Sequence, residues 1–153
     1  MTAAPLKKCK GCGKTPPEVD FDSGRRLCKS CRHTAQQKKA SATPESYLNT
    51  IIRYAKYRSK KRGYDDFAIT KDDLVELWYK QRGRCALSGV MMTHHYDNKG
   101  ERKDLNVSID RIDSSKGYIP GNIQPVATRV NAMKGNLDEA QPNWWLRTFY
   151  EPL

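Results

Sequence analysis

The sequence has few apolar residues and no long apolar run. Only 37% of its 153 residues are hydrophobic, and the mean hydropathy is −0.84. No stretch of about eighteen consecutive apolar residues occurs, which excludes a transmembrane helix. Residues 1–14 also lack the apolar segment of a secretory signal. These absences predict a cytoplasmic protein with a modest core, in a reducing compartment where paired cysteines hold metal more often than they form disulfides.

Acidic residues are scarce in the first part of the chain. Residues 1–64 carry a net charge of +12, whereas residues 65–153 carry −1. A basic segment of this density is typical of proteins that bind a polyanion. The alternative is a solvated basic surface that keeps the chain soluble, and charge alone does not separate the two.

Only five cysteines are present, and four of them form two Cys-x-x-Cys pairs. The pairs are Cys9 with Cys12 and Cys28 with Cys31, separated by fifteen residues. Four thiolates complete a tetrahedral shell with no open position, so the spacing predicts one structural Zn²⁺. The alternatives are two disulfides or unpaired thiols. Cys85 has no partner in its half of the chain, which indicates a free buried thiol.

Cations surround the second cysteine pair, and they would suit contacts to DNA phosphates. These cations are Arg25, Arg26, Lys29 and Arg32. The alternative is a purely structural metal module with a solvated basic face.

The middle of the chain predicts two helices after a flexible or weakly helical linker at residues 34–42. Thr43 followed by Pro44 is typical of a helix start, and Gly63 is a plausible stop. Thr70 with Asp73 predicts the cap of a second helix that ends near Gly83. The first helix carries a run of cations that we expect to contact DNA, although a solvated face is the alternative. They are Arg53, Lys56, Arg58, Lys60, Lys61 and Arg62.

The last part of the chain alternates short extended segments with helices. Strands are expected at residues 85–87, 107–110 and 122–126, with a polar loop from 93 to 104. A helix is expected at Thr128–Lys134, ended by Gly135, and a terminal helix at 138–150. Asp110 at a strand end and Asn131 on the following helix could both offer oxygens to one Mg²⁺ or Mn²⁺. Taken alone, such a pair is more often structural.

The segment at 108–135 begins with SIDRIDSSKGY, continues with Asn122-Ile123, and ends with NAMKG. It resembles the ββα-metal core of HNH endonucleases. Its amino-acid sequence is similar to that of phage members of the family, including free-standing homing-type enzymes. The cysteines and the chain length are distantly similar to the phage endonuclease VII group. The resemblance implies metal-dependent cleavage of DNA. It implies that Asp110 and Asn131 bind the metal, that Asn122 holds the loop, and that Lys134 meets a phosphate.

One position departs from that family pattern. Most members have a histidine after the metal-binding acid, where this chain has Arg111. A guanidinium is always protonated and cannot be a general base. Arg111 could instead clamp the scissile phosphate while the base comes from His94, His95 or Tyr118. The histidines are favoured, because histidine is the usual acid–base group near neutral pH. For the histidines, an equal alternative is that they are two exposed loop residues without a catalytic role. For Arg111, the less favoured alternative is a core that has lost its activity and keeps only DNA binding.

The fold class expected is α+β. It comprises a small zinc-knuckle module (zinc-ribbon or treble-clef-like), a basic helical linker and a ββα-metal HNH core with flanking helices. The domains expected are 1–42, 43–83 and 84–153. The function expected is a DNA endonuclease with structural Zn²⁺ and catalytic Mg²⁺ or Mn²⁺, acting in the host cytoplasm if it is phage-encoded. No membrane or small-molecule cofactor is expected, and the oligomeric state is open. A non-catalytic DNA-binding protein and an RNA-associated zinc protein are the rivals.

Overall fold

The computed structural model describes residues 7–63, 66–96 and 103–135. The chain divides into two compact units, Met1–Ala40 and Ser41–Leu153. Helices and a small antiparallel sheet make up the described structure, so the predicted α+β class is confirmed. No helix in these ranges is both long and apolar enough to cross a membrane. The terminal helix expected at 138–150 lies outside the described residues, and so does half of the loop expected at 93–104.

The first unit consists of two cysteine turns followed by helix α1, Lys29–Ala40. The helix begins at the second turn, where the Arg32 amide donates to the Cys28 carbonyl oxygen at 3.0 Å. It has no buried residue. The linker expected at 34–42 is therefore helical as far as Ala40, because its Gln, Lys and Ala residues favour helix and continue a turn that Cys28 has already started.

Two capped helices open the second unit. Helix α2 spans Pro44–Lys61, and the Thr43 side chain accepts a hydrogen bond from the Ser46 amide at 3.2 Å. Helix α3 spans Lys71–Lys80 and starts with a reciprocal capping box between Thr70 and Asp73. Both predicted helix starts are therefore confirmed, whereas α3 ends before the expected Gly83. The apolar stripe of α2 is buried: Tyr47, Leu48, Ile51, Ile52 and Ala55.

A two-stranded antiparallel sheet and one helix complete the second unit. Strand β1, Val107–Arg111, pairs with strand β2, Ile123–Ala127, and helix α4 follows directly at Thr128–Lys134. Helix α2 packs on β1, α3 on β2 and α4 on both strands. Each strand is buried over most of its length. The expected strand–strand–helix order is therefore present.

The strand expected at 85–87 is wrong. The Cys85 amide donates to the Val90 carbonyl oxygen and the Gly89 amide donates back to the Cys85 carbonyl oxygen, both at 2.9 Å. This tight turn leaves only an isolated bridge between Arg84 and Met91, so no ladder can extend. Cys85 is buried and forms no disulfide, as predicted.

Candidate functional site

A polar cleft of about 180 Å³ opens where β1 ends. It is lined from four directions, because β1, the loop that follows it, α4 and the last turns of α2 all contribute side chains. The lining residues are Arg58, Ser59, Arg62, Ile109, Asp110, Arg111, Ser114, Tyr118, Asn131 and Gly135. Several residues that are far apart in the sequence are therefore brought into one site.

Asp110 is the carboxylate of this cleft, and it is 4% exposed. Its Oδ1 accepts from Lys134 Nζ at 3.0 Å, and its Oδ2 accepts from Lys134 Nζ at 2.9 Å and from Gln124 Nε2 at 3.0 Å. A carboxylate has about four lone-pair positions. Among the described residues, these donors occupy three of the positions and leave one on Oδ1.

Lys134 lies beneath the cleft, with its side chain fully buried. Besides Asp110, its ammonium donates to the carbonyl oxygens of Arg111 at 2.6 Å and Ile112 at 3.4 Å. A buried ammonium needs this number of acceptors to offset its lost hydration. The expectation that Lys134 meets a DNA phosphate is therefore corrected: it is the internal counterion of Asp110.

Two hydrogen bonds orient the side-chain amide of Asn131. The Nδ2 atom donates to Ser108 Oγ at 3.0 Å and to the Ile109 carbonyl oxygen at 3.2 Å. These two acceptors assign the orientation of the amide, because the oxygen could not replace the nitrogen there. In the described part of the chain no group donates to Oδ1, so this oxygen remains available as a ligand.

Asn122 closes the loop between the two strands. Its Oδ1 accepts from the Asp113 amide at 2.9 Å, and its Nδ2 donates to the carbonyl oxygens of Asp113 and Gly117 at 3.1 and 3.0 Å. Gly117 allows the Asp66 backbone to approach so closely that a Cβ there would overlap the Asp66 carbonyl oxygen. Asn122 thus holds the loop in which Tyr118 enters the cleft.

Arg111 and Tyr118 lie together on the loop side of the cleft. The Arg111 guanidinium carbon lies 5.5 Å from the centre of the Tyr118 ring, and Nη1 donates to the Lys116 carbonyl oxygen at 2.9 Å. The Tyr118 backbone is tied to the segment after α2, since the Ala68 amide donates to its carbonyl oxygen. Arg111 is therefore held beside a phenol, in a cleft that contains no histidine among its described lining residues.

His94 and His95 do not line the cleft. They lie at the start of β1, where the Asn106 side chain accepts from the His95 amide at 3.2 Å. His94 Nδ1 lies 3.2 Å from the Ser41 carbonyl oxygen. Asp110 follows Asn106 by four residues along an extended strand, which places it about 13 Å from Asn106. The expectation that one of these histidines supplies the general base therefore has no support in their position.

Some of the cations expected to contact DNA have an acidic partner in the structure, and others have none among the described residues. Lys29 lies 3.8 Å from Asp20, and Arg32 contacts Asp22, so both have acid partners within the first unit. Arg25, Arg26 and the α2 cations have no ion-pair partner among the described residues. The α2 cations are Arg53, Lys56, Arg58, Lys60, Lys61 and Arg62, and all are exposed. Of these, only Arg58 and Arg62 line the cleft.

The sequence analysis missed Gln124 as a support of Asp110 and Arg58 and Arg62 as walls of the site. Gln124 is the direct cross-strand partner of Asp110, which pairing the two predicted strands could have indicated. Arg58 and Arg62 are spaced at i and i+4 and so share a helix face. The sequence pattern does not predict that this helix face packs beside β1.

The four paired cysteines form one cluster in the first unit. The sulfurs of Cys9, Cys12, Cys28 and Cys31 all lie within 4.8 Å of one another. The Cys28 amide donates to Cys9 Sγ at 3.2 Å, and this bond, with further backbone donors, lowers the pKa of Cys9 to about 6. Hydrogen bonds to Cys28 and Cys12 raise the pKa of Cys31 to about 12. Four thiolates this close repel one another unless a cation lies between them, so the donor set fits a tetrahedral metal ion.

No family model matches the sequence, and no curated protein matches it. Among solved structures, the rare-cutting HNH restriction endonuclease PacI is similar, with a TM-score of 0.46 and 20% identity. The match covers 95% of this chain and 92% of that chain. The functional interpretation therefore depends on the cleft and on the sequence motif.

The Asp110–Lys134 pair generates a stability prediction. Lys134→Met leaves a buried carboxylate without its counterion, and we expect the free energy of unfolding to fall by about 3 kcal/mol. Urea unfolding at neutral pH, followed by tryptophan fluorescence, measures the change. Arg129→Met is the matched control on the same helix, because its pair with Asp104 is exposed and should contribute under about 1 kcal/mol. Equal losses in both variants would refute the prediction.

Proposed function

We propose that this chain is a metal-dependent endonuclease that hydrolyses phosphodiester bonds of DNA. The observation that carries the proposal is the composition of one cleft: a carboxylate and an amide oxygen lie with the cations of Arg58, Arg62 and Arg111. Oxygen donors suit a hard divalent cation, and guanidinium groups suit phosphate. The cleft therefore contains ligands for a divalent cation and cations for a phosphate, and phosphodiester hydrolysis needs both.

The oxygen donors fit Mg²⁺ or Mn²⁺. Asp110 has one open lone-pair position, and the Asn131 Oδ1 atom has no donor in the described residues. Mg²⁺ takes one or two protein oxygens and completes its shell with waters and substrate phosphate. When bound, such an ion would neutralise charge on the phosphate and on the departing oxygen. Lys134 already offsets the charge of Asp110, so we expect weak metal binding without DNA.

The protein's own side chains would bind the phosphate and hold the loop beside it. Arg111 faces the cleft from the end of β1, and Arg58 and Arg62 face it from α2, so a phosphate in the cleft would meet cations on two sides. Asn122 holds the loop that positions Tyr118. Phage origin and a homing-like role remain part of the proposal and rest on the sequence resemblance alone.

Asp110→Asn tests the cleavage reaction. The variant keeps the size of the side chain but loses the charge, so we expect metal-dependent nicking of supercoiled plasmid to fall at least about 100-fold while DNA affinity persists. The reaction is run with Mg²⁺, with Mn²⁺ and with EDTA. Asp104→Asn, which removes a surface carboxylate outside the cleft, should cleave like wild type.

The second candidate function is a DNA-binding protein that has lost catalysis. Arg111, in place of the usual histidine, favours it. Wild-type protein that leaves the plasmid intact with either metal, and binds DNA as tightly as Asp110→Asn, would establish this function and end the endonuclease proposal.

Tyr118 is our proposed proton acceptor, because it is the one residue of the three sequence-based candidates that lines the cleft. Tyr118→Phe removes the hydroxyl and keeps the ring, so we expect the plasmid cleavage rate to fall about 100-fold while DNA affinity persists. Tyr57→Phe, at a position 66% exposed on α2, is the control. A Tyr118→Phe variant that cleaves plasmid like wild type would assign the base elsewhere.

We propose Zn²⁺ as the ion of the cysteine cluster, since four thiolates and a closed tetrahedral site are typical of structural zinc. Purified protein should contain one zinc per chain by elemental analysis. Cys12→Ser should lose it, and acidification should release it from wild type because the thiolates become protonated. Cys85→Ala removes a cysteine outside the cluster and should keep the zinc. Full zinc content in Cys12→Ser would contradict the assignment.

A further inference from the structure

A second groove, of about 380 Å³, continues from the cleft between α2 and α4. We call it the flanking groove, and it is lined by Ile51, Arg58, Arg62, Ser108, Ile109, Thr128, Asn131 and Ala132. Arg58, Arg62, Ile109 and Asn131 line both the cleft and the groove. The two spaces therefore adjoin at these four residues.

One face of α4 forms the wall of the flanking groove. Thr128, Asn131 and Ala132 are spaced at i, i+3 and i+4, so they share this face. Val130 and Lys134 point into the core. Met133 is 37% exposed and lines neither space. The seven-residue helix thus separates groove, core and outer surface, and Ala132 and Met133 are neighbours on different faces.

The charge in the flanking groove comes from two arginines. No acidic side chain lines it, and no acid pairs with the Arg58 or Arg62 guanidinium in the described part of the chain. The hydroxyls do not add free donors, because Ser108 Oγ donates to the Val126 carbonyl oxygen and Thr128 Oγ1 to the Asn106 carbonyl oxygen. The groove is therefore suited to an anion recognised by guanidinium groups.

We propose that the flanking groove binds the phosphate next to the scissile one on the same DNA strand. The inference rests on the proposed function, which places the scissile phosphate in the cleft. Successive phosphates of one strand are separated by about 3.4 Å along the helix axis, so a strand in the cleft must carry a second anion into an adjacent space. Arg58 and Arg62 border both spaces and would meet both phosphates. The substrate recognised is then a polynucleotide strand, and an isolated diester would use only the cleft.

Ala132→Glu tests the flanking groove by placing a carboxylate on its wall. Met133→Glu puts the same charge one position away on the outer face. Affinity for a fluorescein-labelled DNA duplex is measured by anisotropy in EDTA at several salt concentrations. We expect Ala132→Glu to bind about tenfold more weakly at low salt and to reduce the slope of log K against log salt by about one. Met133→Glu should stay within about twofold of wild type.

Hydrolysis of bis(p-nitrophenyl) phosphate, a diester without a neighbouring phosphate, separates the groove from the cleft. Ala132→Glu should lose less activity on this diester than on plasmid, and Met133→Glu, which lines neither space, should keep its activity on both. The proposal is overturned if both glutamate variants bind DNA equally, if Ala132→Glu binds like wild type, or if Ala132→Glu loses activity on the small diester and on plasmid alike. Circular dichroism and thermal unfolding establish that both variants are folded.

The binding experiment also separates this proposal from the nuclease. If wild type cleaves nothing but Ala132→Glu still binds more weakly than Met133→Glu, the groove is a phosphate site and the endonuclease proposal fails. If wild type cleaves plasmid and the two variants bind alike, the nuclease stands and the flanking groove is wrong.

Discussion

The buried ion pair between Asp110 and Lys134 is the interaction on which the rest of the site depends. It joins the end of β1 to the end of α4. The Lys134 ammonium also donates hydrogen bonds to the carbonyl oxygens of Arg111 and Ile112, where the chain leaves the strand. Such a pair adds little to stability compared with apolar packing, but losing one partner is costly. It therefore specifies one arrangement of strand and helix, and with it the position of the carboxylate at the cleft.

The placement of charge follows from that arrangement. Cations on α4 are neutralised, since Lys134 meets Asp110 and Arg129 meets Asp104. The cations at the end of α2 have no acid partner in the described residues, and two of them face the space beside Asp110. A carboxylate beside the guanidinium groups of Arg58 and Arg62, which have no acid partner in the described part of the chain, suits an anion and offers oxygens to a cation. Phosphodiester chemistry needs both.

Local signals in the sequence predicted the helix starts well where a side chain forms a hydrogen bond with a nearby backbone amide. Thr43 and Thr70 cap helices because their hydroxyls reach amides three residues away. The strand–loop–strand–helix order around Asp110 also follows from local alternation and from the Gly135 stop. The strand expected at 85–87 failed because a tight turn pairs Cys85 with Val90 before a ladder can form. Its apolar pattern suits a buried turn equally well.

By itself, the sequence determined the cysteine pairs, the helix starts and the ββα order, and its resemblance to HNH endonucleases predicted Asp110, Asn122 and Asn131 as site residues. The cysteine turns and the helix caps depend on spacings of about three residues, which local chain geometry converts directly into contacts. Only the tertiary structure decided that Lys134 is buried, that His94 and His95 lie at the far end of β1, and that Arg58 and Arg62 face the cleft. Each of these depends on which element packs against which, and hydrophobic burial, which sets that packing, has no direction and specifies no polar partner.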